Sequence, residues 1–232
     1  MKPLITSLRL YRLPGRVLCG LRWPTLATGL SCLLVLGLSA CALPSAQERP
    51  MATYDLGVPP PTAPLATPLT APSTGARPTI VMTDVQAPSW LDSQHIYYRL
   101  AFADLLQPKP YAQATWVMSP AQLLTQRARL RLAQVANVLS AGDTAQEFLL
   151  KLELDDFSQV FDTQDSSRGV VQLRASLISS GRFVAQHSFA LAQPAPSANA
   201  AGGVRALGAA TDAVLNELAA WVDSNARPRA AR

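Results

Sequence analysis

The chain has 232 residues, 49% of them hydrophobic, with 19 prolines, 3 cysteines and a formal net charge of +5. Five cations (Lys2, Arg9, Arg12, Arg16, Arg22) lie in the first 40 residues and every acid lies beyond them, so residues 41–232 carry 15 Lys/Arg against 15 Asp/Glu and are neutral. The basic balance gives no argument for a nucleic-acid partner, which would need a local basic patch, and residues 41–232 suffice for one domain with its own core.

At the N-terminus the five cations precede a stretch, Leu26 to Leu38, that is apolar or small throughout. A basic region, a short apolar region and small residues at a cleavage point make a secretory signal peptide over residues 1–40. Leu38-Ser39-Ala40-Cys41 resembles the lipobox of bacterial lipoproteins. The resemblance implies that the Cys41 thiol is acylated and becomes the first mature residue, a membrane anchor. The alternative is an uncut signal-anchor helix, since Thr25 to Gln47 is uncharged and a span needs ~20 apolar residues. Gly29, Ser31, Gly37, Ser39 and Pro44 shorten the strongly apolar part and suit a cleaved signal better. Ala42 rather than an aspartate follows the cysteine, which in the pattern it resembles sends the protein to the outer membrane, facing the periplasm. Cys19 and Cys32 leave with the signal, so the folded part is expected to have no free thiol, disulfide or cysteine metal site.

Residues 41–78 form the lipidated cysteine and a tether. Thr53–Val58 either adds a first strand to the sheet or belongs to the linker; the first option leaves eleven tether residues, ~34 Å at ~3.1 Å each. Residues 59–78 hold seven prolines and favour extended polyproline II. A strand is predicted at Thr79–Val85, ended by Ala87-Pro88, and a second at His95–Leu100. Pro108 and Pro110 break the pattern, and Ala114–Met118 around Trp116 reads as the third strand.

Ser119-Pro120 opens a helix, with serine as cap and proline in the first turn. Its apolar stripe runs Leu124, Ala128, Leu132, Val135, Leu139, with Arg127, Arg129 and Arg131 off it, and Ala141-Gly142-Asp143 ends it. Then comes an antiparallel meander with one buried face. Phe148, Leu150, Leu152 and Leu154 alternate with Lys151, Glu153 and Asp155, and the parity shift to Phe157 and Phe161 predicts a β-bulge. Val171 to Leu177 repeats the alternation, Ser180-Gly181 is a hairpin turn, and Phe183, Ala185, His187, Phe189 and Leu191 follow on one face. After a spacer (Pro194–Gly203) the last helix turns Leu207, Thr211, Val214, Leu218 and Trp221 or Val222 inward, with Arg205, Asp212, Asn216 and Asp223 outside. The fold class predicted is α+β, a mostly antiparallel sheet with two amphipathic helices packed on one face, over residues 79–225. Residues 226–232 are expected to be a disordered tail.

No nucleophile elbow, zinc-protease motif, phosphate-binding loop or glycine-rich dinucleotide turn occurs. No cofactor or metal is expected. His187 reads as a core histidine and His95 as a strand opener. Asp155 and Asp156, adjacent on a strand, are expected on opposite faces and make a poor acid–base pair unless the bulge turns both outward. No acid lies between Asp104 and Asp143, while Lys109, Arg127, Arg129 and Arg131 do. Arg127 and Arg131, one turn apart, are candidates for contact with an acidic partner or lipid head group; a solvated helix face is the commoner reading. Tyr97 and Arg99 share one strand parity, and aromatic and arginine residues are enriched at interfaces. Arg99 and Trp90 are therefore candidate docking residues, the alternative being that Arg99 pairs with an acid such as Asp92.

Three segments carry a wider resemblance: Ser89-Trp90-Leu91-Asp92 leading to Ile96-Tyr97-Tyr98-Arg99, Trp116 with Pro120 and Leu123-Leu124, and Leu152-Glu153-Leu154-Asp155-Asp156-Phe157. With the lipobox and a last helix ending near Trp221, the chain is similar to the ABC-type transport auxiliary lipoproteins of Gram-negative bacteria, the PqiC-like group. It departs from their pattern in a longer proline-rich insert at 59–78. The resemblance implies a non-enzymatic periplasmic lipoprotein whose partners are an MCE-domain protein and its ABC transporter components, moving lipids across the envelope. An outer-membrane scaffold in envelope assembly or secretion is the alternative. The oligomeric state, a homo-oligomer included, stays open.

Overall fold

The computed structural model describes residues 50–59, 77–140, 142 and 147–226. The signal sequence, Cys41, most of the proline-rich stretch and the tail from 227 lie outside the described residues. Elements are labelled β1 (Ala52–Tyr54), β2 (Thr79–Met82), β3 (His95–Leu100), β4 (Asp104–Trp116), α1 (Pro120–Leu132), β5 (Asn137–Leu139), β6 (Phe148–Phe161), β7 (Ser167–Ser179), β8 (Arg182–Pro194) and α2 (Ala200–Asn225).

The clearest alternation in the sequence becomes the central strand. Leu150, Leu152 and Leu154 of β6 are buried, with Lys151, Glu153 and Asp155 exposed between them. Along its whole length β6 pairs antiparallel with β7, and β7 with β8. The register shifts between Leu154 and Asp156, leaving Asp155 unpaired, so the parity change is a bulge as expected. Val171, Leu173, Ala175 and Leu177 of β7 are buried in turn. The two-residue turn after β7 has positive φ at Ser180 (48°) and Gly181 (74°), the handedness that a tight hairpin requires.

On its other side β6 takes two parallel partners, β2 at its start and β3 at its end. Beyond β2 lies β5, also parallel; beyond β3 lie antiparallel β4 and then β1, parallel to β4. The long pairings are antiparallel and the short ones parallel, so the sheet is mixed. Of the predicted Thr53–Val58, only Thr53 and Tyr54 join it, within the strand Ala52–Tyr54.

Three sequence expectations need correction. Pro108 and Pro110 do not break β4, which runs from Asp104. Prolines two apart aim their nitrogens at one edge, and along 104–113 β4 has β3 on one side only, so a free edge takes the missing donors. Helix α1 ends at Leu132, not near Leu139. Asn137–Leu139 turns away and fills the open edge of β2, with the Asn137 N–H donating to Pro78 O at 2.9 Å. Helix α2 begins at Ala200, inside the predicted spacer, capped by Asn199 Oδ1 accepting from Gly202 N–H at 2.9 Å.

The early start of α2 has a packing reason. It lies across β7 and β8 and reaches β6, and glycines are needed where the approach is closest. A Cβ on Gly203 would sit 1.9 Å from Gln159 Oε1, and one on Gly169 of β7 would sit 2.5 Å from Leu207 N and 2.6 Å from the Ala206 carbonyl carbon. Gly169→Ala should therefore cost about 1–3 kcal/mol through overpacking against rigid helix backbone. Gly208→Ala, on the same helix with its nearest neighbour Leu56 O at 3.8 Å, should instead gain about 0.5–1 kcal/mol. Opposite shifts in the thermal midpoint are the expected result; losses of similar size at both would show that α2 does not rest on β7 in this way.

Leu124, Ala128 and Leu132 of α1 and Leu207, Val214, Leu218 and Val222 of α2 join the inner sheet residues in one core. At the start of α1, Gln122 Oε1 accepts from Ser119 N–H at 3.2 Å. His187 is not a core residue. Edge strand β8 outruns its cover, so only Phe189 of its expected inner face is fully buried. His187 is exposed, its ring 4.7 Å from Phe189 and 6.5 Å from Trp221.

Candidate interaction surface

Of the site residues predicted, the fold brings Trp90 and Arg99 together. The turn Ser89–Leu91 plugs Leu91 into the core and leaves Trp90 half-buried. Trp90 meets Tyr97 edge-on at 5.3 Å, and the Arg99 guanidinium carbon lies 5.4 Å from the Trp90 ring centroid, within cation–π range. Arg99 Nη1 donates to Leu105 O at 3.1 Å, and its Nε is 3.9 Å from Asp156 Oδ2. Its acid is thus Asp156, four strand residues beyond Leu152 and not Asp92. Burial holds the Asp156 carboxyl above its usual range, opposed by neighbouring donors and by Arg99. Asp155 accepts from Arg174 at 3.0 Å. The two carboxylates do not alternate across the sheet as expected: the bulge sets both between inward Leu154 and Phe157, and each has its own arginine.

The arginines of α1 separate into three different situations. Arg127 is buried, not on a solvated face: its Nε and Nη2 donate to Asp212 Oδ1 and Oδ2 at 2.8 and 2.9 Å, and its Nη1 to Gly57 O at 2.8 Å. Asp212, expected outside, is its partner across the two helices. Arg129 pairs with exposed Asp84 at 2.8 Å. Arg131 is half-exposed and donates to Gln134.

Two features escaped the sequence reading. Gln159 is fully buried, accepting from the Tyr111 hydroxyl at 2.8 Å and donating to Ser167 Oγ at 2.7 Å, beneath Gly203. Burial pushes the Tyr111 phenol up, with Tyr98 adding to it, so Tyr111 stays a donor. Only the two-sided burial of β6 beyond its bulge explains a glutamine there. The second feature is the β3–β4 tip, where residues 101–107 are all exposed, Phe102 at 48%, Leu105 at 50% and Leu106 at 88%. Among the described residues no three His, Cys, Asp or Glu side chains gather as metal ligands, and no helix is long and apolar enough to cross a membrane.

The class this geometry defines is an α+β domain with a mixed eight-stranded sheet and two helices in one core. Solved structures share it. Protein XCC0632 from Xanthomonas campestris superposes with a TM-score of 0.60 at 19% identity, over 75% of this chain and 95% of its own. An uncharacterized protein matches with a TM-score of 0.57 at 14% identity, over 75% and 99%. No curated protein matches the sequence. The family model for the ABC-type transport auxiliary lipoprotein component matches residues 54–219. The chain belongs to that family, and so to the lipoproteins of the cell envelope that accompany ABC-type transport. The match begins at Tyr54, inside β1, in accord with that strand's place in the sheet.

Proposed function

We propose that the protein is a non-enzymatic lipoprotein, acylated at Cys41 after loss of residues 1–40, anchored to the outer membrane and facing the periplasm. There it docks an MCE-domain protein and its ABC transporter components, in a system moving lipids across the envelope. The observation that carries this reading is the family match over 54–219; the Leu38-to-Cys41 pattern supports the anchor. Trp90 and Arg99, already adjacent, are the proposed docking pair, with Arg131 a second contact. Arg127 is left out because its donors are engaged inside.

Capture of the full-length tagged chain from solubilised envelopes tests the reading. An MCE-domain protein should come with the wild type. Arg99→Glu, if it still melts cooperatively, should lose it; a variant that fails to fold would make Arg99 a brace of the β3–β4 hairpin. Cys41→Ala should take up no fatty-acid label. Capture of assembly or secretion proteins without any MCE-domain protein would favour the scaffold alternative.

A further inference from the structure

The tip between β3 and β4 has a composition that packing does not explain. Residues 101–107 read Ala-Phe-Ala-Asp-Leu-Leu-Gln, five of seven apolar, and all are exposed. The one charge among them, Asp104, is partly spent on its own turn, accepting from Leu106 N–H at 2.9 Å. The tip is held in shape rather than loose: Ala103 N–H donates to Leu100 O at 3.0 Å, Ala101 N–H to Phe161 O at 2.8 Å, and Arg99 to Leu105 O at 3.1 Å. A braced turn presenting Phe102, Leu105 and Leu106 to solvent is built to be covered by something.

The direction of β1 says what. Because β1 runs parallel to β4, with Ala52 opposite Ala114, the chain enters the sheet from the end where β4 begins at Asp104. From Ala114 to Asp104 is ten residues of strand, at most about 33 Å. From Ala52 back to Cys41 is eleven residues, at most about 40 Å when fully extended. A lipid on Cys41 can therefore reach the end of the sheet that carries the apolar tip, if that chain is extended. We infer that Phe102, Leu105 and Leu106 insert into the lipid surface beside the anchor, as a second contact that fixes which end of the domain faces the membrane. The acyl chains at Cys41 hold the protein at the bilayer, but a tether alone does not orient the domain; an apolar contact set into the interface does. The charges at this end, Asp104 and Asp165 against Lys109, with Asp162 paired to Arg168 and Arg99 to Asp156, leave no cationic excess and favour a zwitterionic surface over an anionic one.

This inference rests on the proposed anchor, and the experiment separates the two. Full-length Leu106→Trp protein, altered at an 88% exposed position, is reconstituted into phosphatidylethanolamine–phosphatidylglycerol vesicles, and its acylation is read by mass spectrometry. The added tryptophan should emit at shorter wavelength and be quenched more by lipids brominated at shallow than at deep acyl positions, since such contacts sit ~5–10 Å into the boundary. Phe102→Asp in that background should abolish the quenching, and raising the anionic lipid content should not strengthen it. Acylated protein that floats with vesicles while its tryptophan stays unquenched overturns the tip contact and leaves the anchor standing. A shorter-wavelength, concentration-dependent emission without quenching assigns the tip to a second copy of the chain and also overturns it. Quenching in a chain without acyl groups would keep the tip and remove the anchor; neither signal would remove both.

Discussion

Arg127→Met is expected to destabilise the protein by about 2–4 kcal/mol in denaturant unfolding. The guanidinium joins three pieces of chain that are far apart in sequence: α1 carries it, Asp212 on α2 accepts two of its hydrogen bonds, and Gly57 beyond β1 accepts a third. Removing one partner of a buried pair typically costs about 3–5 kcal/mol, because the other charge is left stranded. Here the arginine side chain is 8% exposed but Asp212 is 27% exposed, so water relieves part of that cost. The double variant Arg127→Met/Asp212→Leu should recover most of the loss, since apolar replacement of a whole buried pair is often neutral. Residues 52–58 should also become more open to protease in the single variant, having lost the tie at Gly57. A cost no greater than that of Arg129→Ala, whose pair with Asp84 is exposed, would show that the bridge does not hold the helices together.

Leu152→Ala should cost about 2–5 kcal/mol. Leu152 is 1% exposed in the middle of β6, opposite Ala175 of β7, where the sheet meets the core beneath the helices. Truncation leaves a cavity that a strand paired on both flanks cannot close, because Gln86 and Leu154 are bonded across to it: Gln86 N–H donates to Leu152 O at 2.9 Å and Leu154 N–H to Gln86 O at 2.7 Å. Its neighbour Glu153 points the other way and meets only Arg174 at the surface, at 3.3 Å. Glu153→Ala should therefore change stability by no more than about 1 kcal/mol. Equal losses at the two positions would mean that β6 presents its other face to the core.

The two expectations differ in origin. Leu152 could be assigned from the chain alone, because alternation within one strand reports which side is apolar without reference to any neighbour. Arg127 could not. On the helical repeat it lies off the Leu124–Ala128–Leu132 stripe, and a residue off the stripe reads as solvated until a second helix is known to cover it. Asp212 was misplaced for the same reason, and each is the other's explanation. The proposed docking pair was half legible: strand parity grouped Arg99 with Tyr97, but its contacts with Trp90, Leu105 and Asp156 depend on pairings of β3 with two other strands.

Period, turn chemistry and caps are local, and they were enough for the meander, its bulge, the Ser180-Gly181 turn and the helix stripes Leu124–Ala128–Leu132 and Leu207–Val214–Leu218. The family resemblance was likewise carried by short segments. What lay beyond reach was set by neighbours brought in from elsewhere. A free edge on β4 lets Pro108 and Pro110 stay within a strand, and an open edge on β2 draws Asn137–Leu139 out of a helical pattern. Close approach of α2 to β6 and β7 turns an apparent glycine spacer into a first helical turn, and the part of β8 that runs past the helix leaves His187 outside. Each of these is a backbone or side-chain group satisfied, or left uncovered, by a segment remote in sequence. A one-dimensional pattern records that a group seeks a partner; only the packed sheet and helices supply which one it finds.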